Sequence, residues 1–206
     1  MLNRLLIFFI VINFFFHNAF SNDQINFDVS EIEVLDEGNK IIGKKRGTIK
    51  TEDGVIINAD NFEYDKIKNI LIANGNISVN DNINNYYIRS DNIVYFKDKE
   101  KIEISGVINS LIFSDYNFKS QDLIILREKK IIKSNKKTTI VDEKNQILYE
   151  IDNFSYSIND EILKGKGIFI NTKFNQPFSD KYFFQSAIFN LKDQSYIAKD
   201  ISIDLR

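Results

Sequence analysis

Cysteine and tryptophan are absent from this 206-residue chain, and proline, histidine and methionine occur once each. Without cysteine there is no disulfide, no thiolate nucleophile and no sulfur-ligated metal. The single histidine, His17, lies in an apolar leader, so the chain beyond it has no imidazole for acid–base catalysis or for the usual zinc sites. Carboxylates, tyrosine and lysine are what remains for chemistry, and no catalytic residue, metal ligand or cofactor is assigned. A dominant charge is missing too. With 27 Lys+Arg against 29 Asp+Glu the net charge is −2, which gives no basic field for nucleic acid, and nucleic acid is not expected as a partner. At 43% hydrophobic and 27% charged residues, the composition is that of neither a disordered chain nor a wholly membrane-embedded one.

The leader comes first. Arg4 gives a basic start, Leu5 to Phe16 an apolar core broken by Asn13, and Ala19 and Ser21 the small residues of a cleavage site. A helix needs about 20 apolar residues to span a bilayer, and this core is too short. The pattern predicts a signal peptide over residues 1–21, removed on export, and a single domain over 22–206. Losing Arg4 leaves 26 − 29 = −3 on the exported chain. An exported chain without cysteine fits a periplasm, where disulfides are allowed but not required.

What is present is a repeat. Asp60-Asn61-Phe62-Glu63-Tyr64 is followed fifteen positions after its Asp by Gly75. The frame recurs as Asp91, Asn92, Ile93, Tyr95 and Gly106, and as Asp152, Asn153, Phe154, Tyr156 and Gly167. A weaker copy is read at Asp122, with Ile124 and Leu126 in the apolar slots, and the weakest has Gln185, Ala187 and Phe189. The Asp positions step by 91 − 60 = 31, 122 − 91 = 31 and 152 − 122 = 30. Self-similarity at such an interval is the mark of a stacked architecture.

Each unit reads as two strands joined by a tight turn. Leu71, Ala73, Gly75, Ile77 and Val79 share one face, as do Ile102, Ile104, Gly106 and Ile108, while the alternate positions are polar. Turns are expected at Gly38-Asn39, Asp65-Lys66, Asn80 to Asn82, Lys97 to Lys99 and Asn159-Asp160. Asp53-Gly54 carries a strong hairpin signal, and Pro177 marks a longer connection around 175–180. Near Ala198 the parity slips against Ile201, Ile203 and Leu205, which predicts a bulge. A two-strand unit cannot bury its oily face alone, so the units must stack and fold over. The expected fold is all-β, a folded jellyroll of stacked antiparallel hairpins open at both ends, with a parallel β-helix as the alternative. Asp and Asn are favoured where a turn enters a strand, and strand glycines mark bulges, so these repeated residues are read as structural. The run Lys44-Lys45-Arg46 is read as a solvated turn or as a contact for anionic phosphates.

In the run Ala59 to Asp65 and in Ile72-Ala73-Asn74-Gly75-Asn76-Ile77 the chain resembles the OstA-like domain of the lipopolysaccharide transport system. That domain is shared by the bridge protein LptA and the N-terminal region of LptD, and the later segments Asp180 to Phe184 and Phe189-Asn190-Leu191 look more like the latter. The resemblance implies a carrier, not an enzyme, located in the periplasm in association with the outer membrane. It implies that lipopolysaccharide acyl chains are bound in a groove, with Phe62, Tyr64, Leu71, Ala73, Ile77, Ile93, Tyr95, Ile102, Ile104, Phe154, Tyr156, Leu163 and Phe169 as candidates. It further implies that other jellyroll proteins of the bridge dock on edge strands, here Glu31, Ile32, Glu33 and Val34. LptD continues into a transmembrane barrel, whereas this chain ends at Arg206 within an alternating pattern. An LptD-like domain and a free-standing LptA-like bridge are both open, and outer-membrane contact is expected only if a barrel follows. The alternative from another class is an exported β-helical protein that binds or cleaves polysaccharide.

Overall fold

A computed structural model describes residues 26–205 except 51–53, 84–85, 113–115, 191 and 194. The leader 1–21, and Asp53 of the Asp53-Gly54 hairpin, lie outside the described residues. Fourteen strands follow one another: β1 (Asn26–Leu35), β2 (Lys40–Lys50), β3 (Ile56–Ala59), β4 (Asn61–Asp65), β5 (Ile70–Asp81), β6 (Tyr86–Phe96), β7 (Lys101–Ile112), β8 (Tyr116–Leu126), β9 (Ile131–Ser134), β10 (Thr138–Asp142), β11 (Ile147–Ser157), β12 (Ile162–Thr172), β13 (Lys181–Asn190) and β14 (Ser195–Asp204). Apart from β3 with β4 and β9 with β10, consecutive strands pair with one another, and every pairing is antiparallel, which removes the parallel β-helix. β3 and β4 are two halves of one strand position between β2 and β5, and β10 and β9 fill one position between β8 and β11. The result is a stack of twelve strand positions.

The pairings β1–β2, β5–β6, β6–β7 and β7–β8 shift register near the strand middles, for example between Asn74 and Ile77 of β5 or Arg89 and Asn92 of β6, while β11 to β14 keep their register and skip one pair at the same place. There the sheet turns a corner and its two halves fold face to face. Leu71 and Val79, on either side of the corner of one strand, are both buried in the same cluster. The rings of Phe118 and Phe154, on opposite halves, approach to 6.4 Å. The folded, all-antiparallel architecture is the jellyroll expected from the repeat.

The Asp–Gly spacing is the chemistry of that corner. Gly75 and Gly106 sit at φ +78 and +95, and a Cβ on either would fall within 3 Å of the carboxylate of Asp60 or Asp91 on the neighbouring strand. Only glycine combines that backbone with that approach. Asp60 accepts from Asn76 Nδ2 at 2.6 Å and from Arg46 Nη1 at 3.1 Å, while its own N–H donates to the Gly75 carbonyl at 3.0 Å. Asp91 accepts from the Val107 N–H at 2.8 Å. Asp91 thus covers a backbone donor that the bulge removes from the strand ladder, and Asp60 holds its bulge through side-chain donors.

Two readings of the sequence shift by one residue here. The corner position equivalent to Asp60, Asp91 and Asp152 is Gln121, not Asp122, because the β7–β8 register breaks between the Ser105–Asp122 and Ile108–Ser120 pairs. The inward residues are therefore Leu123 and Ile125, not Ile124 and Leu126; Asp122 instead accepts from Ser134 Oγ and from the Asn135 N–H. The basic run Lys44-Lys45-Arg46 is not a turn. It forms the corner bulge of β2, with Lys45 at φ 67, and its three cations pair with Glu33, Glu31 and Asp60. The slip near Ala198 coincides with Asp200 at φ 50, between the Phe184–Ile201 and Ser186–Lys199 pairs.

A second regularity lies along one lip of the fold, the rim of hairpin turns at one edge of the V. The turns 36–39, 66–69, 97–100, 127–130 and 158–161 stack through single backbone bonds: Lys66 N–H to Asn39 O, Lys97 to Asn69, Arg127 to Glu100 and Ile158 to Lys130, all 2.8–2.9 Å. Asn69, Glu100, Lys130 and Glu161 end their turns in the left-handed region.

Candidate functional site

The interior of the V is built from residues directly opposite one another on successive strands. On one half the register gives Val34, Ile41, Tyr64, Leu71, Tyr95, Ile102, Ile125, Ile132, Tyr156, Leu163, Phe189 and Tyr196, one residue from every strand position and all apolar or aromatic. The facing half gives Ile49, Ile57, Val79, Ile88, Ser110, Phe118, Ile140, Tyr149, Ile170, Tyr182 and Ile203, interrupted only by Ser110. At 4.7–4.9 Å per strand, twelve positions extend the rows over roughly 50 Å. The middle of each row is buried; the first row opens at both ends, with Val34 and Tyr196 each 58% exposed, and the facing row at its far end, with Ile203 53% exposed, while its first member Ile49 is buried. This is an apolar trough with two open ends.

Most of the residues singled out in the sequence meet here. Phe62, Leu71, Ala73, Ile77, Ile93, Tyr95, Ile104 and Phe154 are buried in it, and Tyr64, Ile102, Tyr156 and Leu163 pack against it. Phe169 does not belong to it. The first two glycine corners place two residues before the next inward side chain (Gly75-Asn76-Ile77, Gly106-Val107-Ile108), but the third places one, Gly167, so Ile168 and Ile170 turn inward and Phe169 outward. Its ring lies against Phe183 on the outer face, with centroids 4.9 Å apart. The facing row from Ile57 through Val79, Ile88, Phe118 and Tyr149 to Tyr182 was mostly missed. Its signal was the alternation immediately before each corner residue, as in Ile57-Asn58-Ala59-Asp60 and Ile88-Arg89-Ser90-Asp91.

Of nine tyrosines, eight contribute to this interior, and only Tyr87 points away. A buried tyrosine offers an apolar ring with one polar tip, suited to the edge of an oily space. Tyr95 is the most connected: its hydroxyl donates to Glu100 Oε1 at 2.8 Å and accepts from Arg127 Nη1 at 3.0 Å, and the guanidinium carbon stands 5.7 Å from its ring centre. Burial, reinforced by the Glu100 bond, pushes its hydroxyl well above the usual tyrosine range, and burial pushes Tyr149 up to about 12. Burial raises Tyr64 and Tyr156 as well. These phenols stay neutral at any physiological pH.

Between the rows, a cavity of about 40 Å³ lies beside Leu71, Val79, Ile88, Tyr95 and Ile102, with Arg127 at its rim. That holds a few water molecules at most, so a longer guest must part the two halves. Among the described residues no group of three or more His, Asp or Glu could hold a metal ion. Asp60 and Asp91 are engaged at separate corners. At the N-terminal edge, Glu31 and Glu33 face outward and pair with Lys45 and Lys44, while Ile32 and Val34 continue the inner face. Among the described residues β1 pairs only with β2 and β14 only with β13, so both terminal strands present an open edge there.

No protein-family model matches the chain, and a search of curated proteins finds no match. Among solved structures, the chain is similar over 53% of its length to 80% of LptH from Pseudomonas aeruginosa, described as the LptA-homologous periplasmic component of the lipopolysaccharide transport device. The identity is 10% and the TM-score 0.46. A likeness this distant leaves function to be argued from the chain's own geometry and residue pattern.

Proposed function

We propose that this chain is a periplasmic carrier that holds the acyl chains of lipopolysaccharide between the two halves of its folded sheet. The observation that carries this reading is the pair of facing apolar rows that run the length of the stack, one of them exposed at both ends at Val34 and Tyr196 and the other at Ile203. An ordinary packed core closes at its ends; a conduit does not. Each CH₂ kept from water is worth roughly 0.8 kcal/mol, so a lipid with several chains needs continuous cover in transit. The repeated residues that resemble the OstA-like domain are those that build the corner and the rows, which favours lipopolysaccharide over other lipids. The open edges of β1 and β14 suit docking by strands of proteins with the same fold, in an LptA-like bridge or an LptD-like assembly domain. The polysaccharide reading relied on a β-helix, and the antiparallel register removes that premise.

Photo-crosslinkers test the interior. Placed at Tyr64, Tyr95 and Phe154, they are expected to label lipopolysaccharide in cells, while those at the outward positions Glu63 and Phe169 do not. Equal labelling at both sets, or at neither, would overturn the reading.

A further inference from the structure

The lip turns differ in charge, and the difference coincides with the cavity. Turns 66–69, 97–100 and 127–130 carry Lys66, Lys68, Lys97, Lys99, Arg127, Lys129 and Lys130 against Asp98, Glu100 and Glu128; with the adjoining Asp65 the sum is 7 − 4 = +3. The flanking turns reverse sign, with Asp36 and Glu37 on one side and Asp160 and Glu161 on the other. The cavity lies beneath the basic turns, among β5 to β8, and Arg127 belongs to both. Its guanidinium is held at the rim by the Tyr95 hydroxyl and by Glu100 Oε2 at 3.2 Å. The backbone bonds between turns keep the three basic turns in one row, where a chain with net charge −2 concentrates positive charge.

We propose that this basic lip is a headgroup site, specific for the phosphate of an anionic lipid whose chains enter the cavity below. The proposal rests on the trough reading and adds where along the trough the guest sits and which head it carries. An amphiphile with its chains between the rows must place its head at a lip. A phosphate there meets a forked guanidinium and ammonium groups that outnumber the carboxylates of the same turns. An uncharged head gains nothing from the same position.

The test is calorimetric titration of the exported chain with dodecyl phosphate, dodecyl glucoside and inorganic phosphate, with both amphiphiles below their micelle concentrations. It is repeated on the variant Lys97→Gln/Lys99→Gln/Lys129→Gln/Lys130→Gln, whose changes lie on turn surfaces. The wild type is expected to prefer dodecyl phosphate over the glucoside by about tenfold, a preference that shrinks as salt is added, with inorganic phosphate much weaker. The variant is expected to bind both amphiphiles at the wild-type glucoside affinity. If the glucoside binds and the phosphate binds no better, or if the variant keeps the preference, the headgroup site is overturned and the trough stands. Inorganic phosphate binding as tightly as dodecyl phosphate overturns it also, since the chain then plays no part. If neither amphiphile binds, the trough falls and the site with it.

Discussion

Gly106 concentrates the demands that the fold places on single residues. Its φ of +95 lies in the left-handed region, and the space where a side chain would begin is filled by the carboxylate of Asp91. Gly106→Ala is expected to cost about 2 kcal/mol or more, from backbone strain together with displacement of Asp91 from the Val107 N–H. Urea unfolding of the variant against wild type measures it, and an unchanged midpoint would show that the corner is not held this way. The same corners explain how far the sequence could be read. The Asp–Gly spacing was visible because identical geometry requires identical residues. One-residue differences were not visible: Gln121 stands at a corner while the adjacent Asp122 imitates the repeat, and the single-residue corner at Gly167 reverses the parity that placed Phe169 inside. Alternation has period two, so one residue lost at a bulge sends every later side chain to the other face.

At the scale of strands and turns, the stack propagates itself until it runs out. Each hairpin hands its pairing groups to the next, and the turns at one lip add a backbone bond at every step. Among the described residues the terminal strands have no such successor. β14 is exposed along both faces, with Tyr196 and Ile203 at the open mouth and Ile197 outside, and none of its residues is proline. Natural edges that must stay single are blunted by proline, inward charge or a covering helix. The chain from Asn22 onward is therefore expected to associate head to tail into open oligomers whose size grows with concentration. Tyr196→Lys/Ile203→Lys, which puts charge into the apolar end, is expected to shift the equilibrium towards monomer while leaving the circular dichroism spectrum unchanged. Sedimentation velocity over a concentration series decides it; a wild type that stays monomeric, or a variant that associates equally well, would contradict the docking role of this edge. The edges could be anticipated from the repeat, but the division of β1 into outward ion pairs at Glu31 and Glu33 and inward Ile32 and Val34 required the register.

The whole molecule is a V whose arms are closed on each other by apolar contact alone along most of their length. Only about 40 Å³ separates them near Leu71 and Tyr95, far less than an acyl chain occupies. The contacts between the rows and those of a lipid with either row are of one chemical kind, so a guest can replace what it displaces without loss of apolar burial. Opening should occur at the lips, since the corners are fixed by hydrogen-bonded carboxylates and left-handed glycines. The central claim is that lipid enters between the arms and parts them. Because the chain has no cysteine, two spin labels report this without background. Glu128→Cys lies in the turn 127–130 of one lip and Lys144→Cys in the turn 143–146 of the other, both at exposed positions. Pulsed electron paramagnetic resonance of the doubly labelled protein is expected to show a distance distribution that moves to longer values when lipopolysaccharide is added and returns when it is removed. A distribution unchanged by saturating lipopolysaccharide would contradict the account.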